Sequence, residues 1–254
     1  MMRNRLALLA GAIALICLSG SAFGAPFSVG ATSNIFLSGL SAPLGTGIQP
    51  GSGTLPIGVG VTAGDTLGFS NVVIASAPAT LSCQILKYTL ADYMVTSADG
   101  GPCGAITSTD IFGTGTGLSG IAAPQTMFLV GVFLTDSAPS GSDPTSLDFT
   151  GLGTDFASLA PAIGQVFFIG DGLTGTGTGA QQQFVVPTGA TRLFLGFADG
   201  NDGTPFHGAN SHYGDNFGIV NGNVDVLFSG VPEPATMTML GAGLVGLAFL
   251  RRKK

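Results

Sequence analysis

The chain has 254 residues, of which 9% are charged, and a formal net charge of −6. Between residues 25 and 230 only two basic residues occur, Lys87 and Arg192, against thirteen aspartates and no glutamate, so this region carries a formal charge of −11. Nucleic acid is excluded as a partner, because phosphate binding requires clustered Lys and Arg.

The first 24 residues have the pattern of a secretory signal peptide. Arg3 and Arg5 precede an apolar stretch over 6–18, and the small residues of 21–24 predict cleavage before Ala25. An N-terminal anchor helix is the alternative, but the apolar stretch is short for one. We therefore expect export, with residues 1–24 removed.

Residues 25–229 are predicted to form one all-β domain. Short apolar runs alternate with clusters of Gly, Ser, Thr, Pro and Asp, which is typical of strands joined by turns. One segment, Asp155–Ala162, is predicted to form a short helix. The expected fold is a β-sandwich with jelly-roll-like topology. The predicted strands are Leu55–Thr62, Thr66–Ala75, Thr126–Leu134, Gln165–Ile169, Gln183–Val186, Thr191–Ala198 and Asn223–Phe228.

Cys83 and Cys103 are the cysteines that remain after signal removal. An even pair in an exported protein predicts a disulfide. A metal or catalytic role is disfavoured, because there is no Cys-x-x-Cys motif and neither histidine is near in sequence.

The group of residues with possible chemistry lies near the end of the body. Asp199 follows a predicted strand, and Asp215 and Asn216 follow a loop that contains both histidines. Carboxylate and amide oxygens suit calcium, which prefers hard oxygen ligands. The alternative is that residues 213–216 form only a tight turn that maintains the fold.

This part of the body resembles the calcium-dependent galactophilic bacterial lectins, which have a galactose-binding-like β-sandwich. The resemblance is carried by Leu195-Gly196-Phe197-Ala198-Asp199 and by Tyr213-Gly214-Asp215-Asn216. It implies that Asp199, Asp215 and Asn216 bind Ca²⁺ through side-chain oxygens. It also implies carbonyl ligands from His212 and from the Asp92–Gly101 loop, with sugar hydroxyls completing the shell. The insertion Gly200–Ser211 departs from the family.

An enzymatic function is not expected. His207 and His212 are the candidates for a general base near neutral pH. They lie five residues apart in a Gly/Asn-rich loop, which does not match a zinc-protease helix. No Gly-x-Ser-x-Gly elbow is present.

The last segment, residues 230–254, combines a short motif, an apolar stretch and a basic end. Pro232-Glu233-Pro234 is followed by sixteen apolar or small residues, 235–250, and then by Arg251-Arg252-Lys253-Lys254. A helix of this length spans about 24 Å, and snorkelling basic side chains extend its reach. We predict a membrane helix over 235–250 with its basic end in the cytoplasm; a buried core helix is the alternative.

The tail resembles the PEP-CTERM sorting signal of exopolysaccharide-producing Gram-negative bacteria. The resemblance implies recognition of Pro232, Glu233 and Pro234 by an exosortase, a membrane cysteine transpeptidase, and cleavage near the motif. We therefore expect an exported, non-catalytic protein of the cell surface or extracellular matrix, associated with exopolysaccharide and held in the inner membrane before processing. The alternative is a calcium-dependent carbohydrate-binding module, and a secreted enzyme is a more distant one.

Overall fold

The computed structural model describes residues 24–41, 53–83, 91–199 and 212–230. The predicted signal cleavage falls at the border of these ranges. The sorting motif and the membrane helix predicted over 235–250 lie outside them. No helix within these ranges is long and apolar enough to span a membrane.

The described part of the chain is built mainly from short strands, as the alternation of apolar runs and turn residues predicts. Strands make up 44% and helices 6% of the structure, which confirms the all-β prediction. The short helices are α1 (Phe149–Leu152) and two 3-10 turns, Ile35–Leu37 and Ala91–Tyr93. The strands are β1 (Ala25–Gly30), β2 (Ile57–Gly60), β3 (Thr66–Ile74), β4 (Leu81–Ser82), β5 (Met94–Val95), β6 (Thr109–Ile111), β7 (Ile121–Ala123), β8 (Phe128–Leu134), β9 (Leu147–Asp148), β10 (Ser158–Leu159), β11 (Val166–Phe168), β12 (Leu173–Gly175), β13 (Thr178–Gln181), β14 (Gln183–Val185), β15 (Arg192–Ala198) and β16 (Ile219–Phe228).

Two larger sheets contain all seven predicted strands. A five-stranded sheet has the order β1-β16-β3-β14-β10, and a four-stranded sheet has the order β11-β8-β15-β2. Aromatic rings connect the sheets: Phe184 of the first lies 5.4 Å from Phe167 of the second, and 5.2 Å from Phe69 of its own sheet. Burial of these apolar faces against each other supplies the main favourable contribution to folding.

Strand β15 has no clean alternation in sequence, which predicts cover on both faces. The residues from Leu195 to Ala198 are all buried. Cover on one side comes from the chain after β1, which passes so close that a Cβ on Gly196 would lie 2.8 Å from the carbonyl oxygen of Ser33. At the other end of the strand, the Arg192 guanidinium lies 5.2 Å from the half-buried ring of Phe194.

The helix predicted over Asp155–Ala162 is wrong. Ser158 and Leu159 form β10 instead, which pairs in parallel with β14. The short helix begins earlier, at Phe149, because the Asp148 side chain accepts a hydrogen bond from Thr150 N at 2.9 Å and caps it. Burial of Phe149 then holds the helix on the core.

The predicted disulfide between Cys83 and Cys103 is present. Its Cα atoms are 6.3 Å apart, within the usual range for a disulfide. Both cysteines are buried, and the bond ties β4 to the loop that precedes β6.

The first and last strands are antiparallel neighbours. Ala25 lies opposite Val224, and Gly30 lies opposite Ile219. The chain therefore enters and leaves the described body at one end of the sandwich, which we call the terminal end. The opposite end, where β1 and β15 finish and β16 begins, carries the predicted calcium ligands; we call it the loop end.

Candidate calcium site at the loop end

Three segments meet at the loop end. Asp199 is the first residue after β15, the turn of residues 212–216 leads into β16, and Ala31 follows β1. Backbone hydrogen bonds fix these segments relative to each other: Phe197 N donates to Ser33 O at 2.7 Å, and Ala31 N donates to Gly218 O at 2.9 Å. The strand pairing thus brings together residues up to 185 positions apart in sequence.

Tyr213 connects the turn to the end of β15. Its side chain is fully buried. The hydroxyl donates to Phe197 O at 3.2 Å and accepts from Asp199 N at 3.2 Å. Burial raises the pKa of the Tyr213 hydroxyl above its ordinary value, so the group is neutral. Tyr213 therefore holds the backbone of Asp199 in place.

Asp199 is a buried residue with 5% exposure. Its Oδ1 accepts from Thr126 Oγ1 at 3.3 Å, whereas Oδ2 is buried and has no hydrogen-bond partner within the described residues. Burial raises the pKa of Asp199 to about 7, and the charge of Asp215 adds to the rise, while side-chain hydrogen bonds from Asn216 and Thr126 oppose it. A carboxylate at this position needs a cation or a proton.

Asp215 and Asn216 place two further oxygens in the turn. Asp215 is half-buried, and burial raises its pKa against the opposing effects of its own backbone N–H and the charge of His212. Asn216 is 3% exposed, and its Nδ2 donates to Ala31 O at 3.2 Å. Asp215 Oδ1 and Asn216 Oδ1 are both buried without a hydrogen-bond partner in the described ranges.

Each of the three predicted side-chain ligands therefore carries a buried oxygen without a hydrogen-bond partner in the part of the chain that the structure describes. Leaving one buried acceptor unsatisfied costs about 1–3 kcal/mol, and more for a charged one. In the described part of the chain no three His, Cys, Asp or Glu side chains form a metal-binding group. The donor set at the loop end has only two carboxylates, and its third side chain is an amide. An oxygen-only set of this kind fits calcium better than zinc.

His212 and the Asp92–Gly101 loop were predicted to add carbonyl ligands. His212 is half-buried and has a φ of +71°, a left-handed conformation that is uncommon outside glycine and that begins the turn. Gly101 pairs with Thr126 through two backbone hydrogen bonds of 3.0 and 3.1 Å. The loop thus reaches Thr126, whose side chain contacts Asp199. Coordination of calcium by the carbonyl of His212 or by a carbonyl of this loop stays a prediction.

Two participants were missed from sequence. Thr126 contacts the Asp199 carboxyl from 73 residues away, and Ala31 anchors Asn216 from 185 residues away. Their residue types do not indicate a metal site in the sequence, because a threonine near a strand and the backbone carbonyl of an alanine are common features of any β-sheet protein. Only the pairing of β15 with β8, and of β16 with β1, brings them to the loop end.

Comparison with known protein families gives one match. Residues 230–253 match the PEP-CTERM protein-sorting motif. The motif identifies the chain as an exported protein that is targeted to an exosortase, and it begins at the last residue of the described body. This confirms the prediction made from Pro232, Glu233, Pro234 and the basic end.

No curated protein and no solved structure matches the chain. The resemblance to galactophilic lectins, and the galactose-binding version of the sandwich, therefore have no support from these comparisons. The case for a calcium site at the loop end therefore depends on the geometry described above.

Proposed function

We propose that the body is a calcium-stabilised, non-catalytic β-sandwich that acts outside a Gram-negative cell as a surface or matrix component associated with exopolysaccharide. The sorting motif supports the exterior location. The observation that carries the calcium assignment is a set of three buried oxygens, Asp199 Oδ2, Asp215 Oδ1 and Asn216 Oδ1, that have no hydrogen-bond partner among the described residues.

Calcium fits these residues for reasons of charge and of ligand type. Two carboxylates and one amide would hold the ion, with the carbonyl of His212 as a further donor. Calcium accepts six to eight oxygens in flexible geometry, whereas magnesium requires a near-ideal octahedron and retains its waters. The ion would supply positive charge where burial raises the pKa of both aspartates.

The effect of calcium would be structural. It would join the end of β15 to the turn before β16, and through Asn216 to the chain after β1. A ligand that binds only the folded state stabilises it by about 1.4 kcal/mol at a concentration of about 10 Kd. Sites in extracellular modules bind with Kd values of roughly 10⁻⁴–10⁻³ M, so the folded body would depend on external calcium.

Calcium-dependent carbohydrate binding is the second candidate. One observation favours it: Asp215 and His212 are only half-buried, so the ion would be reachable from that side. Sugar hydroxyls could complete its coordination there. The body has few positive charges, so an anionic polysaccharide would contact it through the ion and not through basic side chains.

Calorimetry with the exported body tests both candidates. We expect calcium to bind to the native sequence, and Asp199→Asn and Asp215→Asn to weaken binding at least tenfold. Asp155→Asn is the matched control, because it removes the same charge from an exposed carboxylate. If calorimetry shows no heat of calcium binding to the native protein, the calcium assignment is wrong.

Galactose and the polysaccharide of the host are then titrated at saturating calcium. Heat that disappears with a chelator supports the carbohydrate candidate. Calcium binding with no sugar heat leaves the structural role as the function of the ion.

A further inference from the structure

The chain leaves the fold at a fastened point. Gly230 N donates to Asp65 Oδ1 at 3.0 Å, and Asp65 is buried, with 7% exposure. Gly230 is also the residue at which the sorting motif begins. The sorting segment therefore starts from a fixed position on the body.

Close packing reinforces this hydrogen bond. Gly64 has a φ of +87°, and a Cβ on Gly230 would lie 2.8 Å from Gly64 Cα and nearer still to the Gly64 carbonyl. The turn that receives Gly230 is itself held by Val186, which accepts from Gly64 N at 3.0 Å and donates to Asp65 O at 2.8 Å. We call Gly64, Asp65 and Gly230 the exit clamp.

The exit clamp leaves little chain between the body and the motif. Pro232 is two residues beyond Gly230, and two extended residues span only about 7 Å. On the amino-terminal side of Gly230, β16 is paired with β1 and β3 and ends at Phe228. Enzymes that bind peptides in extended form pair with several consecutive residues. In the folded precursor, the body occupies the space on the amino side of the motif.

We propose that the exit clamp restrains exosortase processing, so that release of Gly230 from Asp65 precedes cleavage of the folded precursor. The proposal rests on the sorting motif and is independent of the calcium site, which lies at the opposite end of β16. A precursor in which β16 has not yet paired would be cleaved faster than one in which the exit clamp has formed.

The test follows conversion of full-length precursor to processed protein by pulse-chase in an exosortase-competent cell. One variant carries six Gly/Ser residues after Gly230, which leaves the exit clamp intact and adds about 20 Å of reach. The matched control carries the same six residues after the exposed Gly141, which has open space around it. A second pair is Asp65→Ala, which removes the acceptor, and Asp65→Asn, which keeps one.

We expect the insertion after Gly230 to raise the processing rate at least fivefold and the Gly141 insertion to leave it unchanged. Asp65→Ala should raise it about fivefold, the factor expected from losing one net hydrogen bond, and Asp65→Asn should stay within twofold. An unchanged or slower rate with the Gly230 insertion would overturn the proposal, even if Asp65→Ala fails to fold. Glu233→Ala tests the sorting role of the motif separately from the exit clamp. Processing that persists in this variant would contradict the sorting role.

Discussion

The hydroxyl of Tyr213 accepts a hydrogen bond from the backbone N–H of Asp199, at 3.2 Å, inside a fully buried environment. This bond fixes a carboxyl group whose second oxygen has no partner in the described residues. The orientation of the proposed calcium ligand therefore depends on an aromatic side chain fourteen residues away.

Replacing Tyr213 by Phe tests that dependence. The change removes the hydroxyl that hydrogen-bonds to Asp199 N and Phe197 O, so the free energy of unfolding should fall by about 1–3 kcal/mol. Calcium affinity should fall as well, because Asp199 loses its fixed position. Urea denaturation with and without calcium measures both effects. A stability within 0.5 kcal/mol of the native value would show that the bond contributes little.

Asp199→Asn should change stability in opposite directions with and without calcium. At pH 8 the buried carboxylate is charged and incompletely compensated, so a neutral side chain of the same shape should stabilise the calcium-free body. The same change should remove most of the calcium-dependent rise in melting temperature. Thermal scans in chelator and in millimolar calcium provide the comparison, with Asp155→Asn as the exposed control. Loss of stability in chelator would contradict the view that the buried charge of Asp199 is incompletely compensated.

The pH dependence of stability should reverse when calcium is added. The folded-state pKa of Asp199 is about 7, above the value of about 3.9 for an unfolded aspartate. Between these values the folded state binds the extra proton, so stability without calcium is lost as the pH rises from about 4 through 7. Calcium requires the deprotonated group, so its stabilising effect should grow over the same range. Melting temperatures measured from pH 5 to pH 8 check both slopes, and parallel slopes would contradict the prediction.

Reducing the Cys83–Cys103 bond should lower the free energy of unfolding by about 3 kcal/mol, as the chain-entropy model gives for a loop of this size. The bond encloses the segment that carries Gly101, which pairs with Thr126 beside Asp199. The Cys83→Ala/Cys103→Ala double variant isolates the bond from the reductant. Guanidinium denaturation measures the change, and intact mass after thiol blocking shows whether the native cysteines are oxidised.

The principal strands could be predicted because their apolar runs are separated by turn residues, as at Thr66–Ile74 and Arg192–Ala198. Strand β1 was missed because Ala25–Gly30 contains Pro26 and directly follows the predicted cleavage point. The false helix at 155–162 shows the opposite failure. Its local pattern permits a helix, but parallel pairing of Ser158–Leu159 with β14 prevails.

The candidate site could be predicted from the sequence only for residues that lie close together along the chain or directly follow a predicted strand. Asp215 and Asn216 are adjacent, and Asp199 ends an evident strand. The contacts that orient them come from Thr126, Ala31 and the Tyr213 hydroxyl, and these depend on strand register across the sandwich. Register is set by the packing of whole sheets, which no local motif records.

The antiparallel pairing of β1 with β16 has a mechanical consequence. A body held by its carboxyl terminus and pulled at the loop end would bear the load along β16, a strand of about 30 Å. Its hydrogen bonds to β1 and β3 run perpendicular to that direction, so they would be loaded in shear and together. This geometry resists pulling far better than a hairpin opened from one end, where the bonds break one after another.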